Sequence, residues 1–130
     1  MGIDRMAAMT TLLLLTSAPE SHLAWHAVRL ARALLSSDET VRVFFYQDAV
    51  SVVNDLVWRP ADEPSLQAAW QALQIDLPVC VSAALYRGIS DADNATRHGL
   101  PHTNLAKGFR LTGLGELAEL MINADRVVQL

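Results

Sequence analysis

Cysteine is nearly absent from this chain of 130 residues, which contains one, Cys80. A single cysteine cannot form an internal disulfide, so the fold does not depend on an oxidising compartment and the expected location is the cytoplasm. Long apolar runs are also missing, since no segment approaches the ~18 apolar residues that a membrane-spanning helix needs. We therefore expect no association with a membrane.

The N-terminal segment superficially resembles a secretion signal, because Arg5 precedes an apolar stretch that ends near small residues. The unbroken apolar run is only the four leucines at residues 12–15, however, and Asp4 lies upstream. The same leucines suit a buried strand of a parallel sheet, where continuous apolar runs are normal. We expect a strand at residues 10–16, preceded by an N-terminal extension at residues 1–9.

Basic residues are not in excess. Lysine and arginine number 10 against 14 acidic residues, which gives a net charge of -4 and no electrostatic reason to expect direct binding to nucleic acid. Hydrophobic residues make up 52% of the chain and charged residues 18%, a composition that forms a core and is unlike that of a disordered chain. At this length we expect one domain, at residues 10–130.

Predicted strands and helices alternate along the chain. Residues 22–35 have the apolar period of an amphipathic helix, whereas residues 40–46 are rich in β-branched and aromatic residues, as strands are. Further strands are predicted around Cys80 and at residues 109–111 and 126–130, and further helices at residues 48–54, 65–73, 89–99 and 114–124, with Asp48, Ser65 and Ser90 as caps. This alternation predicts an α/β fold, a single-domain and mostly parallel sheet flanked by helices and similar to flavodoxin. Sites in such sheets gather at the carboxyl ends of the strands.

Cys80 lies near such an end, because residues 77–88 predict a short apolar strand that runs directly into a helical turn. Ser82 is a plausible N-cap, and Gly88 can adopt the left-handed conformation that ends a helix. A thiol beside a helix N-terminus can act as a nucleophile suited to sulfur exchange, but free cysteines are also often inert core residues. Arg87 would favour the thiolate if its side chain folded back, although one helical turn is expected to direct it elsewhere.

Two weaker motifs concern cofactors. Residues 113–118 match the GxGxxA form of a dinucleotide fingerprint, but the chain ends before the acidic residue expected about 20 positions further on. We expect these glycines to allow a tight turn and close packing of a helix on the sheet. His22 and His26 have the spacing of a metal pair but lack the glutamate of the HExxH pattern, so we expect surface histidines and no metal.

His98 and His102 flank a loop that contains glycine and proline. Either histidine could approach Cys80 and act as its base. The sequence alone does not place them relative to the thiol.

Several short motifs occur in a fixed order between residues 10 and 130. They are residues 43–50, Trp70, residues 79–84, Arg87, Gly88, Ile89, Asp91, Ala95, Arg97, Gly99, Asn104, Phe109, residues 112–115 and residues 124–128. These motifs resemble the TusD/DsrE family, and the residues around Cys80 resemble the segment around the family's active cysteine. The motifs are specific through their order and spacing together.

The resemblance implies a sulfurtransferase subunit with a DsrEFH-like α/β fold. Cys80 matches the cysteine that receives sulfane sulfur as a persulfide and passes it to the next thiol carrier. The chemistry of the family needs no metal and no organic cofactor on this subunit.

The resemblance also implies partners. Homologous TusB/DsrH-like and TusC/DsrF-like subunits would complete a heterohexamer, with a TusA-like sulfur donor and a TusE/DsrC-like acceptor, and the sulfur would reach 2-thiouridine at the tRNA wobble position. The alternatives are a DsrE-type subunit of dissimilatory sulfur oxidation and a non-catalytic structural subunit of the same assembly. The loop at residues 17–21 and the stretch at residues 73–77 are shorter than in the family, and Tyr86 replaces a frequent arginine, so the donor and acceptor stay open.

Overall fold

Five parallel strands form the central sheet of the computed structural model, which describes residues 9–130. The N-terminal extension expected at residues 1–9 lies, apart from Met9, outside the described residues. The strands are arranged in the order β4-β3-β2-β1-β5, and all pairings are parallel. Their bounds are Thr10–Leu15 (β1), Thr40–Phe45 (β2), Leu77–Cys80 (β3), Phe109–Thr112 (β4) and Arg126–Gln129 (β5). The predicted α/β fold with a parallel sheet is confirmed.

Helices connect the strands, and three of them begin where a short polar side chain caps the first turn. Their bounds are His22–Ser36 (α1), Leu66–Ala72 (α2), Val81–Tyr86 (α3), Ala92–His98 (α4) and Leu114–Asn123 (α5), with a 3-10 helix at Gln47–Val53. Ser21, Ser65 and Asp91 accept hydrogen bonds from backbone N–H groups of α1, α2 and α4. Across residues 9–130, no helix is long and apolar enough to cross a membrane.

Three predicted caps are wrong. Tyr46 precedes the 3-10 helix without a side-chain cap, and Asp48 instead accepts a hydrogen bond from Arg87. Cys80 itself, not Ser82, is the N-cap residue of α3, because the helix begins directly after the strand. The cap of α4 is Asp91 rather than Ser90.

The strand order places the helices unequally on the two faces of the sheet. Successive connections from β1 to β4 step in one direction, whereas the connection through α5 returns across the whole sheet to β5. Right-handed crossovers therefore place α5 on the face opposite the earlier helices. The face under α1, α2 and the 3-10 helix, here called the large-core face, buries Leu13, Phe45 and Trp70 among many others.

The opposite face, here called the small-core face, carries a far smaller core. Its buried residues are Leu12, Phe44, Cys80 and Leu117, of which Leu117 belongs to α5. Alternate residues of a strand point to opposite faces, so Leu12 and Leu13, or Phe44 and Phe45, separate into the two cores. Cys80 is thereby placed on the thinly covered face.

Candidate functional site

Cys80 is the last residue of β3 and the residue from which α3 starts. It pairs across the sheet with Thr112, the last residue of β4, so both lie at the carboxyl edge. Its residual exposure is 2%. The sequence prediction of a strand that runs directly into a helix at this cysteine is confirmed, and the arrangement directs the first-turn N–H groups of α3 towards the edge where the thiol lies.

An open pocket with a volume of about 410 Å³ lies against Cys80. It is lined by the thiol-bearing residue and by Tyr46, Gln47, Ser82, Ala83, Tyr86, Arg87 and Leu114. The side chain of Cys80 thus has two neighbourhoods, the apolar packing of the small core on one side and the pocket on the other. A buried thiol with such a pocket beside it can be reached by a reactant that enters the pocket.

The pocket has walls from three elements. Tyr46 and Gln47 follow the end of β2, Tyr86 ends α3, and Leu114 begins α5. Gln47 adopts a left-handed backbone conformation with φ 51, which is strained for a residue other than glycine and is often found at functional sites. Tyr86 is 90% exposed and Leu114 is also exposed, so the pocket opens beside apolar and aromatic surface.

Arg87 also lines the pocket, contrary to the expectation that one helical turn directs it elsewhere. Its Nη1 donates to the carbonyl oxygen of Ala83 at 3.1 Å, one turn earlier in α3. Its Nη2 donates to Oδ1 of Asp48 at 2.9 Å, in the first turn of the 3-10 helix. The guanidinium is therefore folded back along α3, and it joins the two elements on either side of the pocket.

Comparison with known proteins identifies the family of this chain. The profile of the DsrE/DsrF-like family matches residues 9–130. The chain belongs to the DsrE/DsrF-like family. It is 47% identical over 114 residues to a protein named "Sulfurtransferase TusD homolog" from Vibrio parahaemolyticus, covering 84% of this chain and 87% of that relative. It is likewise 47% identical over 108 residues to "Sulfurtransferase TusD" of Salmonella arizonae, covering 79% of this chain and 84% of that relative.

A solved structure shares the fold. The crystal structure of the ychN protein from E. coli superposes with a TM-score of 0.69, covering 95% of this chain and 100% of that chain at 20% sequence identity. The predicted DsrE-like architecture is thus confirmed. At this level of identity the likeness concerns the fold alone.

In this member of the DsrE/DsrF-like family, the histidines considered as partners of Cys80 lie elsewhere. His98 ends α4 and His102 follows it in a loop; both are exposed, and neither lines the pocket. His22 and His26 are exposed on α1. Within residues 9–130, no three or more histidine, cysteine, aspartate or glutamate side chains are grouped so as to hold a metal ion.

The GxGxxA segment occupies a position that differs from a dinucleotide site. Gly113 precedes α5 and Gly115 lies within it, but β4 and β5, which the helix connects, are at opposite edges of the sheet. A dinucleotide fingerprint requires adjacent strands around its helix. The expected close packing is also wrong, because a Cβ atom at either glycine would meet no atom within 4 Å.

A buried amide fixes the turn that follows α3. Asn104 accepts a hydrogen bond from the backbone N–H of Ser90 at 3.0 Å and donates to the carbonyl oxygen of Gly88 and to Oδ1 of Asn54, each at 3.0 Å. Gly88 has φ +75, the conformation expected of it. The network joins the end of the 3-10 helix to the end of α3, the same two elements that the Arg87–Asp48 pair joins nearer the pocket.

A second charged network lies beside the site on the small-core face. Arg110 donates to both oxygens of Asp76, at 2.8 and 2.6 Å, and pairs with Glu116 in the first turn of α5. The hydrogen bonds from Arg110 lower the pKa of both carboxyl groups, and the two carboxylates in turn raise the pKa of Arg110. Glu116 also accepts from Thr112, the cross-strand neighbour of Cys80, so this carboxylate is neutralised by Arg110 and held away from the thiol's pocket.

Proposed function

We propose that this chain is a sulfurtransferase subunit of a sulfur relay and that Cys80 carries the sulfur as a persulfide. The observation that carries the proposal is the place of the single cysteine, at the carboxyl edge of the parallel sheet and beside an open pocket. The similarity to proteins named TusD sulfurtransferases supports the reaction class. Sulfur exchange needs a thiol that the donor and the acceptor can reach, and it needs no metal or organic cofactor.

The reaction consists of two thiol exchanges. In the first, the Cys80 thiolate attacks the outer sulfur of a donor persulfide, a new S–S bond forms on Cys80, and the donor leaves as a thiolate. In the second, an acceptor thiolate attacks the outer sulfur of Cys80-S-SH, and the Cys80 thiolate leaves. One S–S bond forms and one breaks in each step, so no external oxidant or reductant is consumed.

The site's structure suits this chemistry. The apolar packing of Leu12, Phe44 and Leu117 holds the Cys80 side chain in one place, while the pocket provides room for the added sulfur and for the incoming thiol. The first-turn N–H groups of α3 lie at the same edge of the sheet as the thiol. Cytoplasmic location is part of the proposal, because a reactive thiol is kept reduced there.

The proposed partners are homologous TusB/DsrH-like and TusC/DsrF-like subunits in a heterohexamer, a TusA-like donor and a TusE/DsrC-like acceptor. The proposed product is 2-thiouridine at the tRNA wobble position, because the similar proteins carry the TusD name. Exposed apolar side chains support assembly with other subunits: Ile122 of α5 is 81% exposed, and Met121 and Val127 nearby are exposed as well. The test is to express this chain in cells that lack their own TusD and to measure 2-thiouridine at the wobble position. Restored 2-thiouridine would support a role in tRNA thiolation, and no restoration would favour a role in sulfur oxidation.

A non-catalytic subunit is the second candidate, and the 2% exposure of Cys80 favours it. The deciding experiment incubates the purified chain with a persulfurated donor and measures the intact mass. We expect a gain of one sulfur atom that is lost on reduction and absent from Cys80→Ser, whereas Ser82→Ala, which alters the same pocket without removing the thiol, takes up sulfur normally. No gain in the presence of the partner subunits would show that the chain is a scaffold.

A further inference from the structure

Arg87 places a positive charge at the pocket that lies against Cys80. Of the eight residues that line the pocket in the described part of the chain, Arg87 alone has a basic side chain. Its guanidinium lies along the wall formed by α3, since Nη1 is bonded to the carbonyl oxygen of Ala83, another lining residue, at 3.1 Å.

The two members of the Arg87–Asp48 pair are placed differently. The Arg87 side chain is 30% exposed and lines the pocket, whereas the Asp48 side chain is 67% exposed and does not line it. Water and salt screen an exposed charge more effectively than a partly buried one. The carboxylate therefore orients the guanidinium and cancels only part of its field inside the pocket.

We propose that Arg87 is a catalytic residue whose guanidinium pairs with the negative charge on the reacting sulfurs, and that Asp48 is its positioning residue. The inference rests on the proposed function, because in each thiol exchange one negative charge spreads over three sulfur atoms. A persulfide on Cys80 also moves that charge outward from the buried thiol by one S–S bond. Cys80 and Arg87 line the same pocket, which has room for that outer sulfur.

The test compares an anionic and a neutral thiol reagent on the full chain. Because Cys80 is the single cysteine, the rates of alkylation by iodoacetate and by iodoacetamide both report on this thiol. The ratio of the two rate constants measures the pocket's preference for an anion, independently of sulfur transfer. For the loss of one charge from the lining of the pocket, Arg87→Met should lower that ratio roughly fivefold at low salt, and high salt should diminish the difference.

Asp48→Asn separates an electrostatic role from a structural one. Asparagine keeps an oxygen that accepts from Nη2 but removes the neutralising charge, so the ratio should rise, by roughly twofold. If the pair merely held the pocket walls together, both substitutions would change the ratio in the same direction. Arg87→Lys should keep most of the preference, since it keeps the charge.

Arg126→Met is the matched control. Arg126 also forms an ion pair, with Glu39 at 2.8 Å, but it belongs to β5, the edge strand on the side of the sheet away from β3 and β4. It should leave the ratio unchanged. Sulfur uptake from a low-molecular-weight persulfide should slow roughly fivefold in Arg87→Met and not in Arg126→Met.

The outcomes separate this inference from the proposed function. Normal sulfur uptake by the wild type with an unchanged alkylation ratio in Arg87→Met would overturn the role of Arg87 and leave the function standing. No uptake by the wild type, with the ratio shifting as expected, would overturn the function while Arg87 stays the anion-recognising residue of the pocket. A Cys80 that reacts with neither reagent would overturn both.

Discussion

The two faces of the sheet differ in how much of the protein covers them. On the large-core face, Trp70 and Phe109 pack edge-to-face on Phe45, with ring centroids 5.3 and 5.5 Å apart. On the small-core face, α5 alone among the described helices contributes a buried side chain, Leu117. The first face contains most of the core, and the second keeps Cys80 close to the surface.

This division would allow a buried cysteine to take part in the proposed sulfur transfer. Cys80 lies on the thin side, where one helix and a few side chains separate the sheet from solvent. A cysteine equally buried on the large-core face would lie beneath several helices. The alternation of side chains along β3 decides on which face Cys80 lies, since a shift of the strand by one residue would exchange the faces of Val79 and Cys80.

The largest expected effect comes from weakening each face in turn. Trp70→Ala should lower the free energy of unfolding by about 3–5 kcal/mol, because it removes a large aromatic side chain that is fully buried. Leu117→Ala should cost about 2 kcal/mol, the low end for a buried leucine, because the small core is shallow. Leu117→Ala should in addition speed the alkylation of Cys80, since α5 covers it. Urea unfolding and iodoacetamide kinetics measure the two effects.

Exposed residues of the same types provide controls for that comparison. Trp58 and Ile122 are largely exposed, and Trp58→Ala and Ile122→Ala should each change the stability by less than about 0.5 kcal/mol. Equal losses from Trp70→Ala and Leu117→Ala, with no change in the reactivity of Cys80, would contradict the division into a structural and a reactive face.

A smaller effect should come from Arg110, which ties the start of α5 to the edge of the sheet. Arg110→Met should cost about 0.5–1 kcal/mol at pH 7, because the pairs are partly exposed. Arg110 lowers the pKa of Asp76 and of Glu116, so the stabilisation is complete above their ordinary pKa of about 4 and disappears as the pH falls through their folded-state pKa.

Urea unfolding at several pH values between neutral and about 2 checks this prediction. The gap between wild type and Arg110→Met should be widest at neutral pH and should close in acid. Arg97→Met, a change at an exposed arginine outside this network, should show no gap at any pH. A gap of constant size for Arg110→Met would mean that its aliphatic stem, rather than its ion pairs, stabilises the fold.

The backbone architecture was predictable from local patterns. The leucine run of β1, the β-branched and aromatic residues of β2 and the period of α1 each identify an element within one residue of its observed end. Cys80 was predictable as the candidate site, because the strand and the helix that meet there have local signals. The parallel direction of the strands followed from the alternation of strands and helices, since each connection contains a helix.

What the sequence did not provide is the direction of individual side chains. Arg87 folds back because Asp48, 39 positions away, accepts its hydrogen bond, and no periodicity reports such a partner. The left-handed backbone of Gln47 is likewise set by tertiary context, because glutamine has no preference for it. His98 and His102 lie outside the pocket because of how the loops fold, and the sequence of a short polar segment does not specify the conformation of a loop.

The smallest expected effect concerns the glycines of the GxGxxA segment, and it tests whether α5 is kept weak by its own sequence. Gly115 lies inside α5, its added Cβ would meet nothing within 4 Å, and its backbone is not left-handed. Gly115→Ala should therefore raise the stability by about 0.5 kcal/mol, because alanine loses less backbone entropy on folding.

Gly88→Ala should instead lower the stability by about 1 kcal/mol, since φ +75 strains any residue with a Cβ atom. If Gly115→Ala also slows the alkylation of Cys80, the cover of the small-core face limits access to the thiol; if stability rises with no change in that rate, reagents reach Cys80 through the pocket without any movement of α5.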